Sequence, residues 1–262
     1  MSNRIVAPHV PTTHIADLTG KTAVITGGSK GIGEATVARF VAGGAKVLTS
    51  GRSQPSSLPA GVEFVTADLA TLDGVQLLAD QARNILGDID IIVNNAGAVT
   101  AHLGGVLDIA DDEWIGDLHI NFLAAVRLNA ALLPGMYARG RGSIIHVTST
   151  VTISHPPPTL HYAAAKAALA AYSKGLASEA GPRGVRVNAI SPGNVTSPGG
   201  DKVRQTFTDA MSPEAVAAAG MPIPLGRLGE ANDVAEAIAF FASDRSAWIT
   251  ASELVVDGGE WQ

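Results

Sequence analysis

Tyr162 and Lys166 offer the most direct chemistry in this sequence. Tyr162-Ala163-Ala164-Ala165-Lys166 opens a helical stretch, and the i,i+4 spacing puts both side chains on one face. A phenol of pKa about 10 is a poor acid or base at neutral pH. An ammonium beside it favours the phenolate and is expected to bring that pKa toward the working range. Ser149 ends an apolar run thirteen positions before Tyr162. Its hydroxyl is suited to holding a substrate oxygen while Tyr162 gives or takes a proton. A Tyr-x3-Lys pair alone is as often a surface or packing pair, so its weight comes from its company.

That company includes a glycine-rich turn. Thr26-Gly27-Gly28-Ser29-Lys30-Gly31-Ile32-Gly33 follows an apolar β-type run and leads into a helix. Glycines permit the tight turn and let a pyrophosphate approach backbone N–H groups, where a helix N-terminus favours negative charge. No Gly-Lys-Ser/Thr follows, so this is not an ATP-type phosphate loop. A second β-type run ends in Gly51-Arg52-Ser53. An Asp or Glu there would bond the adenosine ribose and repel a 2′-phosphate. Arg52, Ser53 and Lys30 suit the phosphate instead, which predicts NADP(H) over NAD(H).

Strands are predicted at Thr22–Thr26, Lys46–Ser50, Val62–Thr66, Ile89–Val93, Ser143–Thr148, Val185–Ile190 and Glu253–Val256. Helices are predicted at Gly33–Ala42, Thr71–Leu86, Asp111–Met136, Tyr162–Glu179 and Ala231–Ala242, with Asp111 as an N-cap. The strands are apolar on both faces and alternate with helices. That pattern predicts an α/β fold: one doubly wound, Rossmann-type, seven-stranded parallel sheet with helices on both faces. The link from Gly51 to Gly61 is rich in Pro and Ser and reads as a loop. The stretch 191–229 holds five prolines and reads as a substrate loop or lid. Residues 1–20 read as an N-terminal arm ahead of a domain spanning 21–262.

Composition excludes other classes. Of 262 residues, 46% are hydrophobic and 16% charged, which describes a compact chain with little scope for disorder. A formal charge of −6 without a Lys/Arg run argues against a nucleic-acid partner. No apolar stretch approaches the roughly 20 residues that span a bilayer, and the first twenty residues lack the apolar core of a signal peptide, so a cytoplasmic protein is expected. Cysteine is absent and the histidines lack metal-ligand spacing, so no metal is expected.

Taken together, these motifs resemble the short-chain dehydrogenase/reductase family in its compact form of about 250 residues. The likeness runs from Lys21 to Gly259. It rests on Gly27, Gly31 and Gly33; Asp68-Leu69; Asn94-Asn95-Ala96-Gly97; Asn121; Ser149; Tyr162 and Lys166; and Pro192-Gly193 with Val195-Thr196. The resemblance implies a keto-reductase or dehydrogenase in which hydride passes between a nicotinamide and a carbonyl carbon. Tyr162 would transfer the proton and Ser149 would steady the oxygen. It implies that Asp68 meets the adenine edge, Asn95 the cofactor ribose region, and Lys166 the nicotinamide ribose. Asn121 would hold a water in a relay through Lys166. Thr196 and the Val195 backbone would meet the carboxamide or phosphates. A homotetramer is also implied, in which the Tyr162 helix and Asp111–Met136 pack against symmetry mates and the last strand joins a second interface.

The expected pocket is bordered by Val151–His161 and by the 191–229 loop with Met211, Met221, Ile223 and Leu225. It is mostly apolar, which favours a neutral or lipophilic ketone, aldehyde or alcohol; an inward-turned Lys202, Arg204 or Arg227 would weaken that inference. His155 and His161 are expected to be exposed or packed rather than functional. Three alternatives stand beside this reading: a catalytically idle NADP-binding sensor or scaffold, an NAD-using dehydrogenase of the same family, and a sugar-nucleotide epimerase. The proton-transfer set argues against the first, and the short C-terminal region against the last.

Overall fold

The computed structural model describes residues 17–210, 212 and 223–261. Among them, seven parallel strands form one sheet in the order β3-β2-β1-β4-β5-β6-β7. The strands are β1 (Thr22–Thr26), β2 (Lys46–Gly51), β3 (Glu63–Thr66), β4 (Ile91–Asn94), β5 (Gly142–Val147), β6 (Val185–Pro192) and β7 (Glu253–Val256). They agree with the predicted runs to within one or two residues at each end.

Both faces of the sheet are covered because successive strand side chains point to opposite sides. Val24, Leu48, Ile92, Ile144 and Val187 face a layer made by α2 (Leu72–Leu86), α4 (Ala124–Arg139) and α6 (Leu160–Ala180). Ala23, Ile25, Val47, Ile91, Val93, Ile145 and Ile190 face α1 (Gly31–Ala42) and α8 (Ala231–Ala242). This two-sided burial is why the strands read as continuous apolar runs rather than alternating ones. No helix joins β2 to β3, as the Pro/Ser-rich link implies.

Several local features depart from the sequence expectation. The stretch Asp111–Met136 is not one helix: α3 (Asp111–Leu118) passes through a π-turn over His119–Leu123 before α4 begins. Ala110, not Asp111, holds the N-cap position of α3; its backbone N–H donates to the Glu113 carboxylate at 3.2 Å. The 191–229 stretch contains a helix, α7 (Pro198–Asp209), started by Ser197, whose hydroxyl accepts from the Gly200 N–H. A short helix, α5 (Val151–Ser154), follows β5. Asp17–Gly20, read as arm, pack onto the body: Leu18 is fully buried and Asp17 pairs with Arg39. The rest of the arm, Met211 and Met221 lie outside the described residues.

Candidate active site

The strand order reverses between β1 and β4, and the crevice at the carboxyl ends of these two strands is where open α/β sheets bind ligands. The glycine turn sits there. Gly27 and Gly31 adopt φ of +70° and +58°, the left-handed region that penalises any side chain. A Cβ on Gly33 would collide with the Gly27 carbonyl, and one on Gly28 with the Thr49 hydroxyl. Lys30 is the N-cap residue of α1 but gives it no side-chain cap, so the first-turn N–H groups are open to an anion. Ile32 packs into the core behind the turn. The Ser29 hydroxyl lies 3.2 Å from where a Gly51 Cβ would stand, which brings the turn beside Arg52 and Ser53. Lys30, Arg52 and Ser53 are all exposed. This set fits a dinucleotide: a glycine cradle and an uncapped helix start for the pyrophosphate, with Lys30 and Arg52 exposed beside them.

Asn95 is bonded into the junction of β1 and β4. Its side-chain amide donates to the Thr26 and Gly27 carbonyls at 2.9 and 3.3 Å. The Asn95 and Ala96 N–H groups both donate to the Thr26 hydroxyl at 2.9 Å. Asn95 thus clamps the end of β4 to the glycine turn and shapes the crevice from below. Asp68 is exposed after β3, its carboxylate accepting from the Ala70 N–H at 3.0 Å, while Leu69 is buried. Thr71 caps α2 by accepting from the Gly74 N–H at 3.0 Å.

Ser149, Tyr162, Lys166 and Asn121 converge on this crevice from three directions. Ser149 follows β5; its hydroxyl accepts from the Val151 N–H at 3.3 Å and is near enough to the Tyr162 phenol to oppose the rise of its pKa. Lys166, buried one turn beyond Tyr162 on α6, donates to the Val147 carbonyl at 2.7 Å and stands 5.7 Å from the Tyr162 ring centre. Asn121 comes from the π-turn: its amide donates to the Ala98 carbonyl at 2.9 Å and its oxygen accepts from the Ala98 N–H at 3.1 Å. Gly97 is where the two meet. A Cβ there would lie 2.7 Å from Asn121 Oδ1 and 3.5 Å from Lys166 Nζ.

The electrostatics differ from the sequence expectation. Burial pushes the Tyr162 phenol up to about 12; the Ser149 hydrogen bond opposes the rise and the Asp117 charge adds to it. Burial draws Lys166 down to about 8, against the pull of Asp117.

The remaining wall comes from the segment after β6. Pro192 accepts from Thr150 N–H at 3.0 Å, and Gly193 N–H donates to Val256 at 3.0 Å. Val195 pairs with Gly229, Thr196 N–H donates to the Gly229 carbonyl at 2.8 Å, and the Thr196 side chain is exposed. A Cβ on Gly31 would stand 3.3 Å from Ser197, so the start of α7 faces the glycine turn. Arg204 donates to the Val195 carbonyl and pairs with Asp201, and Arg227 pairs with Asp233.

Residues 27–260 match a family model described as enoyl-(acyl carrier protein) reductase. The chain is 34% identical over 251 residues to 3-oxoacyl-(acyl-carrier-protein) reductase FabG of Haemophilus influenzae, covering 92% of this chain and 98% of that one. The chain belongs to the short-chain dehydrogenase/reductase family. Nodulation protein G of Rhizobium sp. is 35% identical over 249 residues, covering 93% and 98% of the two chains. A solved short-chain dehydrogenase/reductase family protein superposes with a TM-score of 0.81 at 36% identity, over 93% of this chain and 98% of the other. The aldohexose dehydrogenase of Thermoplasma acidophilum superposes with a TM-score of 0.84 at 27% identity, over 94% and 96%. The protein is therefore a short-chain dehydrogenase/reductase enzyme, an oxidoreductase with the Rossmann-type fold. No helix of its described residues is long and apolar enough to cross a membrane.

Two features of the site escaped the motifs. Asp117 and His161 are titratable groups on the helices that lead to Asn121 and Tyr162, His161 buried and Asp117 partly exposed. The available signals were their positions: Asp117 is one helical turn before Asn121, and His161 directly precedes Tyr162.

Proposed function

We propose that this oxidoreductase interconverts a neutral or lipophilic ketone or aldehyde with its alcohol, using NADP(H) in preference to NAD(H). The observation that carries the reading is the convergence of Ser149, Tyr162, Lys166 and Asn121 at the crevice floored by Gly97. The cofactor, held by Gly27–Gly33, Arg52, Ser53, Asp68 and the Pro192–Thr196 segment, supplies hydride chemistry when bound. Tyr162 gives the substrate oxygen a proton during reduction and removes it during oxidation. Ser149 holds that oxygen and orients the phenol. Lys166 contributes positive charge beneath the developing phenolate, and Asn121 fixes the Ala98 backbone beside it. With Arg204 and Arg227 engaged by protein groups, the described residues of the wall offer no free guanidinium fork to an anionic substrate. We also propose a homotetramer.

The test is oxidation of NADPH against a carbonyl panel. It includes 3-oxoacyl thioesters, because the Haemophilus relative is named for them, and aldohexose oxidation, because a structural neighbour is. Activity in the parent that falls by at least about 10²-fold in Tyr162→Phe supports the reading. Cofactor binding with no turnover on any substrate would make the protein an idle binder, and equal use of NADH would remove the phosphate preference.

A further inference from the structure

The segment Pro192–Thr196 walls the crevice, yet it lies between the end of β6 and the start of α7, outside any regular element that would hold it. Its backbone is tied at two points: Gly193 N–H to Val256, described above, and Gly229 N–H to the Asn194 carbonyl at 2.9 Å. One side-chain contact is added. The Asn194 amide donates to Glu260 Oε1 at 2.6 Å. Glu260 Oε2 is buried and has no hydrogen-bond partner among the described residues, so Asn194 supplies the bond that fixes this carboxylate.

Glu260 belongs to a tight turn that follows β7. Asp257 builds it by accepting from Gly259 N–H on Oδ1 and from Trp261 N–H on Oδ2, both at 2.8 Å. The turn lies close against the wall. A Cβ on Gly193 would stand 2.5 Å from Asp257 Cβ and 3.4 Å from Glu260 Oε2, so only a bare backbone fits there. The same turn also reaches the other end of the 191–229 stretch. Leu225 N–H donates to the Gly258 carbonyl at 3.2 Å, and a Cβ on Gly258 would stand 2.7 Å from Ile223 Cγ2. Five residues thus meet both roots of that stretch, at Gly193-Asn194 and at Ile223–Leu225.

We propose that the turn Asp257–Trp261 is a clasp on the 191–229 stretch, and that Glu260, through Asn194, is a positioning residue for the nicotinamide cofactor. The proposal rests on the reading of Pro192–Thr196 as part of the cofactor site. A wall segment that must be ordered on binding subtracts that cost from affinity, whereas one already held in place does not. A hydrogen bond to a carboxylate is stronger than a neutral one and suits this holding. Arg52 and Lys30, which are read as discriminating between the two cofactors, lie at the glycine turn and take no part in the clasp. Glu260 therefore acts on NADPH and NADH alike, and it touches neither the substrate nor the reacting atoms.

The experiment compares the parent with Glu260→Ala, Glu260→Gln, Asn194→Ala, the double variant Glu260→Ala/Asn194→Ala, and Asp257→Ala. Titration with NADPH and with NADH gives Kd for each. Glu260→Ala should raise both constants together, by about three- to tenfold, with KM for the cofactor following and kcat changing less. Asn194→Ala should match it, and the double variant should be no worse than either, since the two partners make one bond. Glu260→Gln, whose amide oxygen still accepts from Asn194, should keep most of the affinity. Hydrogen exchange in the cofactor-free protein reads the clasp without any turnover. At the Thr196 and Gly229 amides it should quicken at least about threefold in Glu260→Ala while Leu225 is unchanged, and Asp257→Ala should quicken all three. Exchange at Thr196 and Gly229 that ignores Glu260, additive losses in the double variant, or a loss confined to NADPH overturns the proposal. A parent that binds neither NADPH nor NADH would instead sink the cofactor reading of the wall, and the proposal with it, even where exchange still answers to Glu260.

Discussion

At the residue scale, the chemistry and the cofactor preference stand on different side chains and fail separately. Ser149, Tyr162, Lys166 and Asn121 would serve either nicotinamide cofactor, whereas the phosphate preference rests on Arg52 and Lys30. Neither cation has a hydrogen bond or ion pair among the described residues, and the Ser29–Gly51 contact brings their two segments together. A charge-assisted hydrogen bond contributes about 1.5–3 kcal/mol, or roughly ten- to a hundredfold in binding. Arg52→Ala should therefore raise KM for NADPH by about tenfold or more and leave KM for NADH within about twofold. Initial rates with both cofactors check this, and a parallel rise in both constants would show that Arg52 supports the loop and not the phosphate. Residue types and spacings made these residues legible in sequence as candidates for the roles proposed. The clamp made by Asn95 was not legible, because its partners Thr26 and Gly27 are almost seventy positions away and meet it only across the β1–β4 junction. Asp117 was hidden for a similar reason, since its neighbours come from α6 and from the connection after β4.

At the element scale, strands were the easiest part to read, because burial on both faces leaves continuous apolar runs with sharp polar ends. Helix breaks were harder. The π-turn at His119–Leu123 carries no Pro or Gly, and its cause is tertiary: it turns Asn121 inward onto the Ala98 backbone. Helix α7 was masked by the prolines around it, although Pro198 at its start is a favourable first helical residue. Below the site, a buried polar network ties four elements together. Asn94 of β4 donates to Asn129 of α4 at 3.0 Å, Asn129 meets His146 Nε2 of β5 at 2.9 Å, and His146 Nδ1 meets Ser173 of α6 at 3.0 Å. Burial, with Lys166 adding, lowers His146 to about 3 from an ordinary 6.5. The unfolded chain thus binds a proton that the folded one refuses, and stability falls as pH drops below 6.5 toward 3. By pH 5 the loss from this one group is about 2 kcal/mol. His146→Gln should cost about 1–3 kcal/mol at pH 7. Its stability should then decline less than the parent's between pH 7 and pH 5. Urea unfolding at the two pH values measures both, and parallel declines would assign the acid sensitivity elsewhere.

At the scale of the whole molecule, the surface carries two uncovered faces that match the proposed assembly. Ala164, Ala167, Ala171, Gly175 and Ser178 are exposed along α6 at spacings of three and four, a flat stripe that lets another helix approach closely. Large apolar side chains stand exposed in the neighbouring segments, among them Leu107 at 92% and Ile115 at 48%. The second face is β7, the last strand of the sheet, where Leu254 and Val255 are exposed. An open apolar edge strand in a lone copy is an aggregation hazard that a partner would remove. Closed symmetry with two distinct faces of this kind gives a tetramer built from pairs. Ala171→Glu sets a carboxylate in the α6 stripe, opposite its own copy across a two-fold axis, where like charges and lost packing both oppose contact. Multi-angle light scattering should then show four copies for the parent and two for Ala171→Glu, with the far-ultraviolet circular dichroism unchanged. A parent that elutes as one copy at micromolar concentration would refute the assembly, and a four-copy Ala171→Glu would move the interface off α6.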